Sequence, residues 1–243
     1  MKIIVAGSTG FVATEFIKQA LSKPAVTSII ALARRETLLP ESSKPDNDKK
    51  KFKSVICQDF ANYPDDVKRE LSGADVCVWL IAVTPSQLKT MALEEARRIC
   101  LDYTVAGLET ITKLPRDPAS KPFRFLYVSG HKSERDQTKR PWPLTEYCLM
   151  RGEAENRVLD FAKASNNTVE ACVAKPGLID GPDRRQGLLI KTVSTIGRTI
   201  IGLPKVDVSQ IAATLLQQAM NGIEKETLSN EDLVTIGDKA LAD

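Results

Sequence analysis

Met1-Lys-Ile-Ile-Val-Ala-Gly7-Ser-Thr-Gly10-Phe-Val-Ala13 opens the chain and carries the reading of its fold. Ile3-Ile4-Val5-Ala6 is apolar and breaks at Gly7, and a helical pattern begins near Phe11. The spacing predicts a strand, a tight glycine turn and a helix. Such a turn lets backbone approach a pyrophosphate, and the helix N-terminus turns free N–H groups and the positive dipole end toward the charge. Gly7 permits the turn, Gly10 the close approach, and Ala13 the packing of helix on strand. Ser8 and Thr9 add hydroxyls, and Phe11 and Val12 begin the helix behind them, so residues 7–12 form the candidate phosphate loop. The spacing G-x-x-G-x-x-A departs from the usual dinucleotide fingerprint. A βα turn without a ligand would use the same glycines.

Outward from this turn, Thr27–Ala33 reads as a second buried strand, and it ends in Arg34-Arg35. In a Rossmann unit this strand end meets the adenosine ribose. An acid there bonds the 2′-hydroxyl of NAD, whereas an arginine accommodates the 2′-phosphate of NADP. Two arginines precede the first acid, Glu36, which favours NADP(H) as cofactor; a solvated strand end would look the same. A third strand, Ser54–Gln58, ends at Asp59-Phe60. Asp59 is placed either to bond the adenine edge or to cap the next turn.

Strand-like and helical runs alternate through the rest of the chain. Tyr63–Leu71 predicts a short helix stopped by Gly73, and Asp75–Val83 a strand apolar throughout, as burial on both faces demands. Leu88–Leu114 has helical periodicity, Phe123–Val128 is a fifth strand, Tyr147–Ala164 a helix and Thr168–Ala174 a sixth strand. This β-α-β alternation predicts an α/β doubly wound parallel sheet. Residues 1–243 read as one domain of the Rossmann type. Residues 180–243 should contribute a small C-terminal helical lobe closing over the cofactor. Its helix near Ser209–Gly222 has boundary signals in Asp207, Ser209 and Gly222.

Composition narrows the class. The chain has 243 residues, 42% hydrophobic and 27% charged, with a net charge of +3, too small to argue for nucleic acid. The segment Pro40–Lys53, with Lys49, Lys50, Lys51 and Lys53, reads as a solvated connection, a phosphate or membrane-surface patch being the competing reading. Cysteines 57, 77, 100, 148 and 172 stand apart, and with one histidine no metal site is expected. Reduced cysteines, no secretory leader and no run long enough to span a membrane predict a cytoplasmic protein. A small-molecule substrate is expected, with monomer and homodimer both open.

In an open parallel sheet, ligands lie at the carboxyl ends of the strands. Those ends offer Ile81-Ala82-Val83, then Ser129 and His131, then Pro176-Gly177-Leu178. Tyr147 and Arg151, four apart, project from one helix face. The glycine turn, Ser129, Tyr147-x-x-x-Arg151 and Pro176-Gly177 resemble the short-chain dehydrogenase/reductases. Phe125–Gly130, Tyr147–Glu155 and Lys175–Leu178 are similar to their atypical branch, the Tat-interacting-protein-like oxidoreductases. The similarity covers nearly the whole chain. It implies Ser–Tyr–Lys chemistry on NADP(H), with Tyr147 as proton donor and Ser129 holding the substrate oxygen.

The chain departs from that pattern where lysine is expected, because Arg151 stands there. Guanidinium can bond ribose hydroxyls and favour a phenolate, but it is larger and does not cycle a proton. Three outcomes follow. In the first, Arg151 serves in lysine's place in an NADPH-dependent reductase acting on a carbonyl of a small, fairly apolar molecule. Tyr147 would otherwise act as a neutral acid in a non-redox isomerase or cyclase. In the third, Tyr147 packs, Arg151 pairs with Glu155, and the protein senses cofactor for a partner. His131 could serve as acid or base near neutral pH or simply be exposed. Cys148 reads as a packing residue. Trp142 reads as a substrate wall or a hydrophobic plug.

Overall fold

A computed structural model describes residues 1–40, 45–117, 119–182 and 202–242. Seven strands form one parallel sheet in the order β3-β2-β1-β4-β5-β6-β9. They are β1 (Lys2–Ala6), β2 (Ser28–Ala33), β3 (Phe52–Ile56), β4 (Val76–Trp79), β5 (Phe123–Val128), β6 (Val169–Ala174) and β9 (Thr227–Leu228). A separate parallel pair joins β7 (Leu178–Asp180) to β8 (Lys205–Asp207). Register is continuous across the centre, with Ile4 opposite both Ile30 and Cys77, and Cys77 opposite Phe125.

Strand period sends alternate residues to opposite faces, and both faces are covered. Ile4, Cys77, Trp79, Phe125, Tyr127 and Val173 pack with residues of α3 (Asp65–Leu71), α5 (Tyr103–Thr112) and α6 (Thr145–Ala164). Ile3, Val5, Val78, Leu126 and Cys172 pack with residues of α1 (Phe11–Ser22), α7 (Val208–Asn221) and α8 (Asn230–Ala242). Each large apolar side chain so buried contributes about 1.5–3 kcal/mol relative to exposure. This is the doubly wound sheet that the alternating pattern implied.

Several boundaries differ from expectation for physical reasons. The apolar run after Trp79 leaves the sheet because β1 turns away at Gly7. Leu80 N–H still donates to the Ala6 carbonyl at 2.9 Å. Beyond it, Ile81 backs onto Gly7 and the Val83 N–H donates to Cys100 Sγ at 3.2 Å, so the run is apolar without being a strand. Residues 88–114 are broken into a 3₁₀ turn (Gln87–Thr90), α4 (Leu93–Arg97), a π turn (Arg98–Asp102) and α5. The periodicity persists because Leu88, Met91, Ala96, Ile99 and Cys100 face one core. The polar connection holds a helix, α2 (Pro45–Lys51), leading directly into β3, which starts at Phe52.

The C-terminal segment is helical, as expected, but α7 lies against α1 in the helical layer, with Gln19 Nε2 donating to the Ser209 carbonyl at 3.1 Å. Any closure by residues 183–201 lies outside the described residues. Asp207 caps α7. It accepts from Ser209 N–H at 2.8 Å, and Gln210 Oε1 accepts from Asp207 N–H at 2.8 Å. Gly222, at φ +114°, ends the helix. Among the described residues, no helix is long and apolar enough to cross a membrane.

Candidate active site

The Gly7 turn sits at the carboxyl edge of the sheet, between β2 and β4. Gly7 has φ +83°, a conformation that side chains disfavour, and a Cβ there would meet the Leu80 carbonyl carbon at 3.1 Å. Gly10 is the N-cap of α1 and supplies no side-chain cap, so the first turn keeps unsatisfied N–H groups. That is the chemistry a pyrophosphate needs. Thr9 and Gly10 are exposed, whereas Ser8 is fully buried with its hydroxyl 2.6 Å from Thr37 Oγ1. Thr37, which the sequence reading did not single out, thus ties the phosphate loop to the segment beyond β2. Phe11 and Val12 are partly exposed at the start of α1.

Arg34 and Arg35 follow β2 as exposed residues with no ion pair among the described residues. Asp59 accepts from Ala61 N–H at 3.1 Å and pairs with Arg98 at 3.4 Å. The Ala61 bond is the main cause holding its carboxyl below the usual range. It therefore caps the turn after β3. The Phe60 ring is buried against Tyr63, Trp79 and Tyr103, leaving only its backbone for any ligand.

α6 crosses the strand ends with three residues at four-residue spacing on one face. Tyr147 donates to the Val83 carbonyl at 2.8 Å, beyond β4. Arg151 donates from Nη2 to the Val128 carbonyl at 2.7 Å, at the end of β5. Glu155 accepts from the Ser129 hydroxyl at 2.6 Å. Burial raises the Tyr147 phenol above its ordinary value, while the Arg151 charge pulls the other way. Arg151 is 2% exposed, and among the described residues its Nε and Nη1 have no hydrogen-bond partner. It does not pair with Glu155, whose cations are Arg135 at 2.7 Å and Lys175 at 3.1 Å.

Tyr147 also lines a cleft of about 760 Å³ with Leu88, Met91, Leu93, Leu144 and Leu149; Gln137, Arg140 and Glu146 are among its polar wall residues. Trp142 is 77% exposed and is not part of that lining. His131 has an exposed side chain, and its N–H donates to the Pro176 carbonyl at 2.8 Å. Gly177 N–H goes to Asn230 Oδ1 at 2.9 Å and Leu178 N–H to the Pro204 carbonyl at 2.8 Å, so this backbone holds the C-terminal segment. Cys148 is buried, as expected of a packing residue. The residues that sequence reading missed as a unit are Ser133, Arg135, Glu155 and Lys175. Only the i+4 step from Arg151 pointed to Glu155.

These groups fit a nicotinamide dinucleotide. The uncapped helix N-terminus suits the pyrophosphate.

No family model matches the chain. Among curated proteins it is similar to the mitochondrial protein FMP52 of Candida albicans. The two are 25% identical over 245 aligned residues, 98% of this chain and 96% of that protein. Solved structures of similar fold include MoeE5 with UDP-glucuronic acid and NAD, at TM-score 0.68 and 15% identity, covering 100% of this chain and 83% of that one. The dTDP-glucose 4,6-dehydratase DesIV of Streptomyces venezuelae, with NAD bound, also gives TM-score 0.68 at 15% identity, covering 100% and 81%. UDP-glucuronic acid 4-epimerase of Bacillus cereus, with NAD, gives 0.63 at 16%, covering 100% and 84%.

Proposed function

We propose that this chain is an atypical short-chain dehydrogenase/reductase, an NADPH-dependent reductase of a carbonyl on a small, fairly apolar molecule. The observation that carries it is Tyr147: a phenol kept protonated by burial, bonded to the chain just beyond β4, in a cleft whose wall joins leucine and methionine to Gln137, Arg140 and Glu146. Gly7, Gly10 and the α1 N-terminus would hold the pyrophosphate, and Arg34 and Arg35 the 2′-phosphate. Bound NADPH supplies hydride. Tyr147 supplies the proton to the substrate oxygen after exchanging its bond to the Val83 carbonyl for one to that oxygen. Arg151 stabilises the phenolate left behind by charge, without itself giving a proton. Five free cysteines fit a reducing compartment, the cytoplasm included.

Titrating NADPH and NADH into the purified protein, then adding a carbonyl panel, tests the reading. NADPH should bind more tightly than NADH, and carbonyl-dependent NADPH oxidation should be lost in Tyr147→Phe. NADPH oxidation undiminished in Tyr147→Phe would refute the role of Tyr147.

The placement of Arg151 favours a second reading. Its Nη2 donates to a backbone carbonyl, and similar folds include an epimerase and a dehydratase by name. A non-redox isomerase or cyclase would use Tyr147 as acid and turn over substrate without net NADPH oxidation.

A further inference from the structure

Thr37 sits against the hydropathy of its own segment. Arg34, Arg35 and Glu36 before it are exposed, and Leu38 after it is 77% exposed, whereas Thr37 is buried. A hydroxyl is turned inward where the leucine beside it is left in water, so burial of apolar surface does not explain the arrangement. Hydrogen bonds do. Thr37 Oγ1 lies 2.6 Å from the Oγ of Ser8, which is fully buried in the glycine turn. Thr37 N–H donates to Ser54 Oγ on β3 at 2.9 Å.

The arginines are therefore bracketed. Upstream, the Ala33 carbonyl accepts from Cys57 N–H at 2.9 Å, which closes the end of β2 onto the chain after β3. Downstream, Thr37 fastens the segment to both β3 and the turn. The turn has its own hold on β2, because Gly7 and Ser8 N–H both donate to the Leu32 carbonyl, at 2.9 and 3.3 Å. The Ser8–Thr37 contact thus joins the turn that would receive a pyrophosphate to the segment whose arginines would receive a 2′-phosphate. Its loss should loosen the arginine segment more than the turn. A segment already held in its binding geometry avoids the ordering cost that a loose one subtracts from affinity.

We propose that Thr37 is a specificity-determining positioning residue: its hydroxyl contact with Ser8 fixes Arg34 and Arg35 against the phosphate loop, so that the pyrophosphate and the 2′-phosphate of NADP(H) meet one preformed surface. The selectivity rests on the proposed cofactor; the mechanical tie between Ser8 and Thr37 does not.

Titrating NADPH and NADH into Thr37→Val, Ser8→Ala and the double variant, with Thr37→Ser as control, tests it. Each single variant should lower the preference for NADPH by about 2- to 12-fold, the worth of one neutral hydrogen bond, with NADH nearly unchanged. The double variant should lose no more than either single one, because the same bond is removed once. Each single variant also leaves a buried hydroxyl without its partner and should unfold at lower urea, whereas the double variant should recover. A preference that recovers along with stability in the double variant would make the pair merely structural and overturns the proposal. Thr37→Ser keeps the hydroxyl and should keep the preference. Amide exchange without nucleotide reads the tie directly. Ser8→Ala should speed exchange at the Thr37 amide, and Thr37→Val at the Ser8 amide, each by about 2- to 12-fold. Unchanged exchange overturns the tie, and faster exchange with an unchanged NADPH preference overturns its role in selectivity. If a single variant fails to fold, the double variant carries the preference test: a loss is expected, and full retention overturns the proposal. A wild type that does not favour NADPH removes the cofactor reading, and exchange then decides the tie by itself.

Discussion

The Arg151 guanidinium lies 5.0 Å over the ring of Tyr127 and reaches past it to the Val128 carbonyl. Among the described residues, two of its nitrogens are buried without hydrogen-bond partners. A buried unsatisfied donor costs about 1–3 kcal/mol, comparable to what one bond from a charged donor returns. A ligand that reached these donors would offset that cost. Arg151→Met keeps length and removes the unsatisfied donors. Without nucleotide, its unfolding free energy should stay within about 1 kcal/mol of wild type or rise. The thermal shift on adding NADPH should shrink. A loss above about 3 kcal/mol with an unchanged NADPH shift would make Arg151 a structural residue.

The sheet was legible because its cues are local. Gly7 must take positive φ, Ile3–Ala6 must be buried, and Asp207 and Gly222 mark their own helix ends. Elements that depend on distant neighbours were less so. Ile81–Val83 is as apolar as a strand, yet its pairing ends where β1 turns at Gly7. The site divides in the same way. Tyr147 and Arg151 share a face by helical period alone. The joining of Ser129 to Glu155, and of Glu155 to Arg135 and Lys175, needs the loop after β5, α6 and the end of β6 brought together. No periodicity records that meeting.

Exposed Arg34 and Arg35 should set the choice between the two dinucleotides. Charge-assisted bonds to a phosphate are each worth about 1.5–3 kcal/mol when well made. At these exposed positions screening cuts the pair to about 1.4–2.7 kcal/mol, so replacing both arginines by alanine should weaken NADPH by about 10- to 100-fold and leave NADH nearly unchanged. Raising salt should weaken NADPH binding to wild type more than to the double variant, because exposed charges are screened. Isothermal titration at two ionic strengths checks both. An unaltered preference would dismiss the NADP assignment.

Alkaline pH should unfold the protein through its phenols and thiols. Burial holds Tyr63, Tyr103, Tyr127 and Tyr147 above the ordinary 10.0. It likewise holds Cys57, Cys77 and Cys148 above 9.0, and pushes Cys172 up to about 12. The native state therefore keeps protons that the unfolded chain releases. Their stabilisation is complete below pH 9 and declines as pH rises through 9 and 10, by up to about 1.4 kcal/mol per pH unit for each group ionised only when unfolded. Urea midpoints at pH 8, 9.5 and 11 should fall in that order. Tyrosinate absorbance should rise only as the fold is lost; a rise near pH 10 in folded protein would contradict the burial.

Gly152 lies in α6, one residue after Arg151 and three before Glu155. A Cβ there would stand 1.7 Å from the Glu134 carbonyl oxygen and 2.1 Å from its carbon, both backbone atoms. Elsewhere in a helix, alanine gains about 1 kcal/mol over glycine. Here the gain is overwhelmed, since α6 and the loop carrying Ser133 and Arg135 must separate. Gly152→Ala should lose about 3 kcal/mol or more in urea unfolding, at the upper end of overpacking costs. Whatever remains folded should lose the Ser129–Glu155 bond, because the loop carries two of that cluster's partners. The infrared carboxylate stretch of Glu155 should then shift, because Ser129 no longer donates to it. A stable Gly152→Ala protein with an unshifted band would show that the helix and loop can part without disturbing Glu155.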